Sequence, residues 1–167
     1  MVGHEKRKSM DSFDYMTLST QLRPRDYVRY IQECAKHTLE VGRDKINPDT
    51  LLVVDKAFSN YLRNELVDEM HGVLPDIQEI LSVISEIRKW LFTIQEFKTI
   101  FQQRVENGTI KSKDADFVLK TLFHFSVIGN QNRPGITFFR YRNKEARFNF
   151  KEQLVVHRGL FKALQII

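Results

Sequence analysis

The sequence predicts a mainly α-helical protein, in which a helical bundle is followed by a smaller module with a C-terminal β-hairpin. Two patterns support this fold class. Apolar residues recur at spacings of three and four as far as Phe125, which is typical of amphipathic helices. Beyond that residue, apolar and polar side chains alternate as they do in strands. Of the 167 residues 42% are hydrophobic, which is enough for one domain or for two small domains that share a core.

Turn-forming and capping residues mark the ends of the expected helices. Pro24 begins a helix that stops near Gly42, and its predicted apolar stripe comprises Tyr27, Val28, Ile31, Ala35 and Leu39. Asn47 and Pro48 begin the longest helix, which ends before Gly72. Further helices are expected at three start signals, namely after Pro75, at a capping box over residues 93–96 and at Asp114.

The predicted hairpin lies near the end of the chain. Residues 136–142 and 147–150 are expected to be its strands, joined by a turn at residues 143–145. A last short helix is expected over residues 157–166. Helices followed by a hairpin have the order of a winged helix, in which the helix before the hairpin often enters the DNA major groove. Here that helix, over residues 114–125, contains no Arg, Asn or Gln, so it is not expected to read bases.

We therefore divide the chain into three parts. Residues 1–19 show no clear helical period and are interpreted as a flexible arm. Residues 20–108 are interpreted as a helical region, and residues 109–167 as a winged-helix-like region with a basic hairpin.

Positive charge is concentrated in the hairpin region. The whole chain has a net charge of +5, and residues 129–167 alone carry eight Lys or Arg against two Glu. This distribution indicates an anionic partner, although basic side chains can also simply keep an exposed hairpin edge soluble. Alternation along the first strand would place Arg140 and Arg142 on one face and the aromatic residues 139 and 141 on the other. The candidate residues for binding nucleic acid or a protein partner are Arg133, Arg140, Arg142, Lys144, Arg147 and Arg158.

The residues that commonly carry out chemistry do not form a recognisable catalytic arrangement. Cys34, the single cysteine, is interpreted as a packing residue, and none of the five histidines has a metal-ligand spacing to another. Glu65, Asp68 and Glu69 are interpreted as a solvated helix face. The sequence contains no GxxxxGK[ST] phosphate loop. We therefore expect no catalytic residue, no metal site and no cofactor in this chain, and no enzyme activity of its own.

The sequence also bears on the compartment. A single cysteine and the lack of an N-terminal apolar segment favour a reducing, cytoplasmic location. No apolar run approaches the roughly 18 residues that a membrane span needs. We therefore expect no membrane partner.

One segment is more specific. The run Leu22-Arg-Pro-Arg-Asp-Tyr-Val-Arg-Tyr-Ile-Gln-Glu-Cys-Ala35 places two arginines around a proline at a helix start, where they could reach a phosphate together with backbone N–H groups. Solvent-exposed arginines in an ordinary first turn are the alternative. This run resembles the lid segment of AAA-related bacterial P-loop ATPases, in which an Arg-Pro-Arg helix start carries the sensor-2 arginine. Stretches at residues 58–66, 125–130, 139–142 and 156–164 are similar to the C-terminal part of that group.

The resemblance implies a role in an ATPase of the phage-defence or mobile-element type. Residues 20–108 would be lid-like, and Arg23 or Arg25 would face the γ-phosphate of ATP. Because this sequence lacks Walker A and Walker B segments, ATP and Mg²⁺ would bind only through a partner P-loop domain. Two functions are therefore expected. The first is a non-catalytic regulatory or interaction module that acts with a separate ATPase subunit. The alternative is a stand-alone nucleic-acid-binding winged-helix protein that contacts the phosphate backbone through its basic hairpin.

Overall fold

The protein is mainly helical, with a small antiparallel sheet in its C-terminal part, which confirms the predicted fold class. The structure, a computed structural model, describes residues 10–166. In chain order its elements are α1 (Ser12–Ser19), α2 (Pro24–Glu40), α3 (Pro48–Met70), α4 (Ile77–Ile87), β1 (Leu91–Phe92), α5 (Ile94–Glu106), α6 (Ala115–His124), β2 (Ile128–Arg133), β3 (Ile136–Phe138) and β4 (Gln153–Val156), followed by a 3₁₀ helix at Arg158–Leu160.

Local capping signals position the helices as expected. Pro24 and Pro48 occupy the first turns of α2 and α3, where a missing backbone N–H has no cost. Thr93 and Glu96 form the predicted capping box at the start of α5, because each side chain bonds to the backbone of the other residue. The Asp114 side chain accepts hydrogen bonds from two backbone N–H groups at the start of α6.

The prediction of a flexible arm is wrong for residues 12–19, which form α1. The helix is capped by Asp11, whose side chain accepts a hydrogen bond from the backbone N–H of Phe13. Tyr15 and Ser19 are buried against the rest of the protein. This helix is short and its apolar residues do not form one stripe, so periodicity could not reveal it. The charged stretch at positions 4–8 lies outside the described residues.

The predicted apolar stripe of α2 is wrong, because the helix packs through a different face. Its buried residues are Asp26, Tyr30, Cys34 and Thr38. The hydroxyl of Tyr30 donates to the carboxylate of Asp55 on α3 at 2.8 Å, which satisfies a polar group inside the core. The apolar residues Val28, Ile31 and Leu39 are instead 55%, 48% and 74% exposed. Hydrogen bonds to α3 have therefore overridden the hydrophobic periodicity.

The sheet differs from the predicted hairpin. Its strand order is β1-β4-β2-β3, and all neighbours are antiparallel. β2 and β3 form a hairpin through Pro134 and Gly135, and Gly135 has the positive φ of 81° that such a turn requires. The prediction of a partner strand at residues 147–150 is wrong, since β4 pairs with β2 in its place. Asn130 and Asn149 exchange two hydrogen bonds of 2.9 Å through the Asn130 side chain, so residue 149 does not join the backbone ladder.

Two further predictions near the hairpin are corrected. β3 ends at Phe138, so residues 139–142 are not a strand and do not show strict alternation. Here the backbone N–H groups of residues 142 and 143 both bond to the carbonyl of Phe139, which turns the chain. The last helix is reduced to the 3₁₀ turn at Arg158–Leu160 and further turns.

The loop between α1 and α2, at residues 20–23, joins the N-terminal helices to the C-terminal part. The ring of His157 donates through Nε2 to the carbonyl of Thr20 at 3.2 Å, and accepts through Nδ1 from the N–H of Gly159 at 3.1 Å. The Gln21 side chain donates to the carbonyl of Phe125 at 3.0 Å. One hydrophobic core includes residues from Tyr15 to Leu164, so residues 20–108 and 109–167 pack around a common interior.

Gly159 is expected to tolerate no side chain. A Cβ atom there would overlap the carbonyl oxygen of Ser19 and crowd Leu62. The substitution Gly159→Ala should lower the free energy of unfolding by about 3 kcal/mol, measured by urea denaturation. Gly72→Ala is the matched control, because a Cβ at Gly72 meets nothing within 4 Å. It should leave stability within about 1 kcal/mol of the parent. Equal stabilities of the two variants would contradict this close packing.

Candidate functional site

The two arginines expected to sense a nucleotide meet at one carboxylate. Arg23 donates through Nε to Asp26 at 2.9 Å and through NH1 to Glu69 at 2.7 Å. Arg25 also contacts Glu69, and its NH1 lies 3.2 Å from Glu65. The arginines come from the start of α2 and the two glutamates from the last turns of α3. The structure therefore brings the predicted pair together, with its positive charge compensated by three acids.

The sequence interpretation missed the acidic half of this cluster. Glu65 and Glu69 lie four residues apart on one face of α3, which was interpreted as solvated. Their side chains are only 30% and 35% exposed, because they pack against the arginines. The buried carboxylate of Asp26 accepts from the backbone N–H of Gln21 as well as from Arg23. The NH2 group of Arg23 is buried and has no hydrogen-bond partner among residues 10–166.

A buried histidine lies beside this cluster. His157 is 1% exposed, and the rings of Tyr141 and Phe139 pack edge-on against it at 5.1 and 5.6 Å. Burial lowers the pKa of His157 to about 3, and the nearby charges of Arg142 and Arg23 favour the same direction. The imidazole is therefore neutral at physiological pH and acts as a structural hydrogen-bonding group. Its fixed roles as donor and acceptor agree with one neutral tautomer.

The six basic residues proposed to bind an anion occupy three places in the structure. Arg133 lies at the β2–β3 turn. Four others, Arg140, Arg142, Lys144 and Arg147, lie in the loop between β3 and β4. Arg158 stacks over the buried ring of Tyr15 in α1, at 4.4 Å. The structure therefore clusters four of the six and separates the other two from that loop.

The six C-terminal candidates form no ion pairs among residues 10–166, whereas several cations of the helical part do. Within the described part of the chain, every ion pair uses a basic residue between positions 23 and 104. None of the six C-terminal candidates contacts a carboxylate there. Arg140 donates to the carbonyl of Ala146 at 3.3 Å, and Arg142 to the hydroxyl of Tyr141 at 2.9 Å. Their positive charge is therefore not compensated within this part of the molecule.

The cysteine is buried in the core, and the possible metal ligands among the described residues lie apart from one another. Cys34 is 1% exposed, and burial raises the pKa of its thiol to about 11, so the reactive thiolate is disfavoured. Over residues 10–166, no three His, Cys, Asp or Glu side chains lie close enough to hold a metal ion. The same range contains no helix that is both long and apolar enough to cross a membrane.

A comparison with protein families places the helical part among known sequences. Residues 2–67 match the model of a family described as the FunZ-associated C-terminal helical domain. No curated protein and no solved structure matches the chain. The matched range includes α1, α2 and most of α3, and with them both arginines and Glu65. The N-terminal helices are therefore similar to a C-terminal helical domain of a larger protein, and this similarity begins earlier than Thr20.

The buried histidine predicts a specific acid sensitivity. An unfolded histidine takes up a proton below about pH 6.5, whereas folded His157 stays neutral to about pH 3. The free energy of unfolding should therefore be constant with respect to this group above about pH 6.5. Below that pH it should fall, by up to about 1.4 kcal/mol per pH unit. Urea denaturation between about pH 7 and pH 5, above the range of most carboxylates, measures this loss.

His157→Gln is the control, since glutamine can donate a hydrogen bond but does not titrate. Its unfolding free energy should change less steeply with pH than that of the parent over the same interval. Parallel curves for the two proteins would show that His157 does not cause the acid sensitivity.

Proposed function

We propose that this chain is a non-catalytic interaction module, which docks through α2 on a P-loop ATPase core supplied by a separate subunit or by another part of a longer chain. The observation that carries the proposal is the exposed apolar face of α2. Val28, Ile31 and Leu39 are about half exposed or more, although they share one face of a regular helix. Contiguous apolar surface of this kind usually marks an interaction site.

The exposed face continues onto α1. Phe13 is 60% exposed and stacks on Tyr27, with 5.8 Å between the ring centroids. The hydroxyl of Tyr27 donates to the side chain of Thr17 at 3.1 Å, which ties this ring to α1. We define the docking face as Phe13, Tyr27, Val28, Ile31 and Leu39. Because it joins two helices, it offers a partner a broader surface than one helix stripe would.

The arginine pair favours an ATPase core as the occupant. Arg23 and Arg25 flank the first residue of α2, the helix that presents the docking face. A core lying along this face would therefore have its surface next to both guanidinium groups. Arg25 is 52% exposed, so it can reach a phosphate without unfolding of the helix. The resemblance of residues 22–35 to an ATPase lid favours the same partner, and the family match over residues 2–67, to a C-terminal helical domain, fits a module that acts beside another domain.

Glu69 gives this arrangement the form of a switch. It accepts from Arg23 and Arg25 and lies on α3, so it ties the start of α2 to the end of α3. A nucleotide phosphate on the partner would compete with Glu69 for the same donors. Exchange of one acceptor for the other would loosen that tie, and loss of the phosphate by hydrolysis would restore it.

We further propose that residues 109–167 act as a winged-helix-like part. Within this range one helix, α6, precedes the hairpin of β2 and β3, and α5 lies before it in the chain. The strand β1, which comes before both helices, pairs with β4 and so anchors the end of the chain to the helical layer. In this proposal the module places the winged-helix-like part at a fixed position relative to the ATPase core.

The docking proposal is tested by substitution on α2. The chain alone should release no phosphate from Mg-ATP above the buffer rate. A P-loop protein encoded beside it should bind it, and Ile31→Glu should weaken this binding at least tenfold. Phe117→Glu is the matched control, because Phe117 is equally exposed but lies on α6. It should leave the binding unchanged.

Arg25→Ala separates docking from sensing. It should preserve binding of the P-loop protein, since Arg25 is not part of the docking face, but remove any effect of the chain on the rate of ATP hydrolysis. Turnover of ATP by the chain alone would overturn the proposal. The proposal would also be overturned if Ile31→Glu keeps the thermal midpoint of the parent protein and still binds the P-loop protein with the same affinity.

The uncompensated cations favour a second candidate function, binding to a nucleic-acid backbone. Arg140, Arg142 and Arg147 lie together in the β3–β4 loop, and no carboxylate contacts them within residues 10–166. Polar side chains are few on α6, where Lys120 lies over the ring of Phe150 at 5.4 Å. Such a surface would contact phosphates and not bases, so its affinity would be independent of sequence.

Salt dependence tests this second function. Binding to duplex DNA should weaken with salt by about 0.9 log units per log unit for each phosphate contact. Changing all three loop arginines to alanine should reduce the slope by up to about 3. Fluorescence anisotropy of a labelled duplex at several salt concentrations measures it. An unchanged slope would exclude the loop as the DNA-binding surface.

A further inference from the structure

A pocket of about 410 Å³ lies at one end of the sheet, away from the docking face. It is formed where the start of β1, the end of β2, the hairpin turn and the start of β4 come together. Its lining contains an indole, three carboxamides and a guanidinium, but no carboxylate. The lining residues are Trp90, Leu91, Gln131, Asn132, Arg133, Pro134, Gly135 and Gln153.

Strand register places two of these side chains on one face. Gln131 is directly opposite Gln153 in the β2–β4 pair, so both carboxamides project to the same side of the sheet. The pairing of β2 with β3 shifts between Gln131 and Arg133, which leaves Asn132 as an extra residue in a bulge. Bulges redirect side chains at strand ends, and this one brings Asn132 and Arg133 to the pocket together. The backbone carbonyl of Trp90 accepts from Val156 at 2.8 Å, which fixes the indole-bearing residue beside β4.

The polar groups of this pocket have no partners in the described part of the protein. Gln131 is 8% exposed, and its buried Oε1 makes no hydrogen bond there. The side chains of Asn132, Arg133 and Gln153 and the indole N–H of Trp90 likewise have no hydrogen-bond or ion-pair partner among residues 10–166. The indole also stacks on no other ring in that range. Buried carboxamides usually have partners, so the unpartnered Oε1 of Gln131 points to a ligand, and the exposed side chains of Asn132, Arg133 and Gln153 are free to contact it.

We propose that the pocket binds a nucleotide unit, with the base against Trp90 and a phosphate at Arg133. An indole is the best aromatic platform for a base, and stacking of this kind is independent of base identity. Carboxamides supply both donors and acceptors for the edge of a base, as Gln131, Asn132 and Gln153 would here. The guanidinium of Arg133 matches the geometry of a phosphate, and the absence of a lining carboxylate leaves that attraction unopposed.

A nucleotide unit has two sources, a free mononucleotide and a segment of single-stranded nucleic acid. The site is open at the sheet edge, so a strand could enter without breaking the fold. The chain has one tryptophan, which makes Trp90 a built-in reporter for either source. This inference does not depend on docking at α2, because the two surfaces share no residue.

The experiment is a titration of the full chain followed by tryptophan fluorescence. The probes are AMP, single-stranded (dA)₁₀ and the corresponding duplex. Saturable quenching by AMP and the single strand would identify a mononucleotide site, whereas quenching by the single strand alone would identify a strand-binding site. The duplex should quench much less, because its bases are already stacked. Failure of both AMP and the single strand to quench at millimolar concentration would overturn the proposal.

Two variants make the result specific. Arg133→Ala should weaken binding about tenfold, whereas Arg43→Ala, which removes another exposed arginine, in the α2–α3 loop, should not. Trp90→Phe should weaken binding of a fluorescein-labelled strand by about tenfold, measured by anisotropy, with unchanged circular dichroism. Equal loss of affinity in the Arg133 and Arg43 variants would show general charge attraction and would refute a site at the pocket.

Discussion

The fold depends on one neutral imidazole. His157 joins the carbonyl of Thr20, before α2, to the N–H of Gly159, after β4, and neither bond is accessible to water. A buried ring with both nitrogens satisfied holds its neighbours in one geometry, whereas a protonated ring would need an acceptor at Nδ1 that is not there. Through Thr20 this contact holds the loop before α2, and hence the helix start that carries Arg23 and Arg25, against the C-terminal part. Through its aromatic neighbours it also fixes the loop after β3.

The helical and C-terminal parts differ in how their arginines are paired. In the helical part, Arg23 and Arg25 pair with glutamates across α2 and α3, so the surface that remains distinctive there is apolar. In the C-terminal part, Arg140 bonds to a carbonyl, Arg142 bonds to a hydroxyl and Arg158 lies over a ring, so that these arginines keep their net charge. The same small protein therefore has one face suited to a protein and another suited to anions. This division agrees with a module that connects two different partners.

Local signals in the sequence predicted the fold well, and long-range contacts account for its failures. Pro48 and the Thr93–Glu96 box could be recognised because a helix start is determined by neighbouring residues. The face on which α2 packs could not, since it is decided by Tyr30 reaching Asp55, 25 residues away. For the same reason only part of the candidate site could be predicted. The arginines stand out in the sequence, but the glutamate that holds them and the pocket beside Trp90 exist only after distant elements meet.

The separation of Thr20 and His157 by 137 positions has a consequence for synthesis of the protein. A ribosome adds about 5 to 20 residues per second, so α1 and α2 must wait on the order of ten seconds for the segment that completes their packing. During that interval the polar inner face of α2 can already pair with α3, because both are local. The loop after α1 stays without its histidine contact until His157 has been synthesised. In the nascent chain, α2 and α3 thus pair early, and the contact of His157 with Thr20 forms late. Between these two events a chaperone or an assembly partner has access to the unfinished protein.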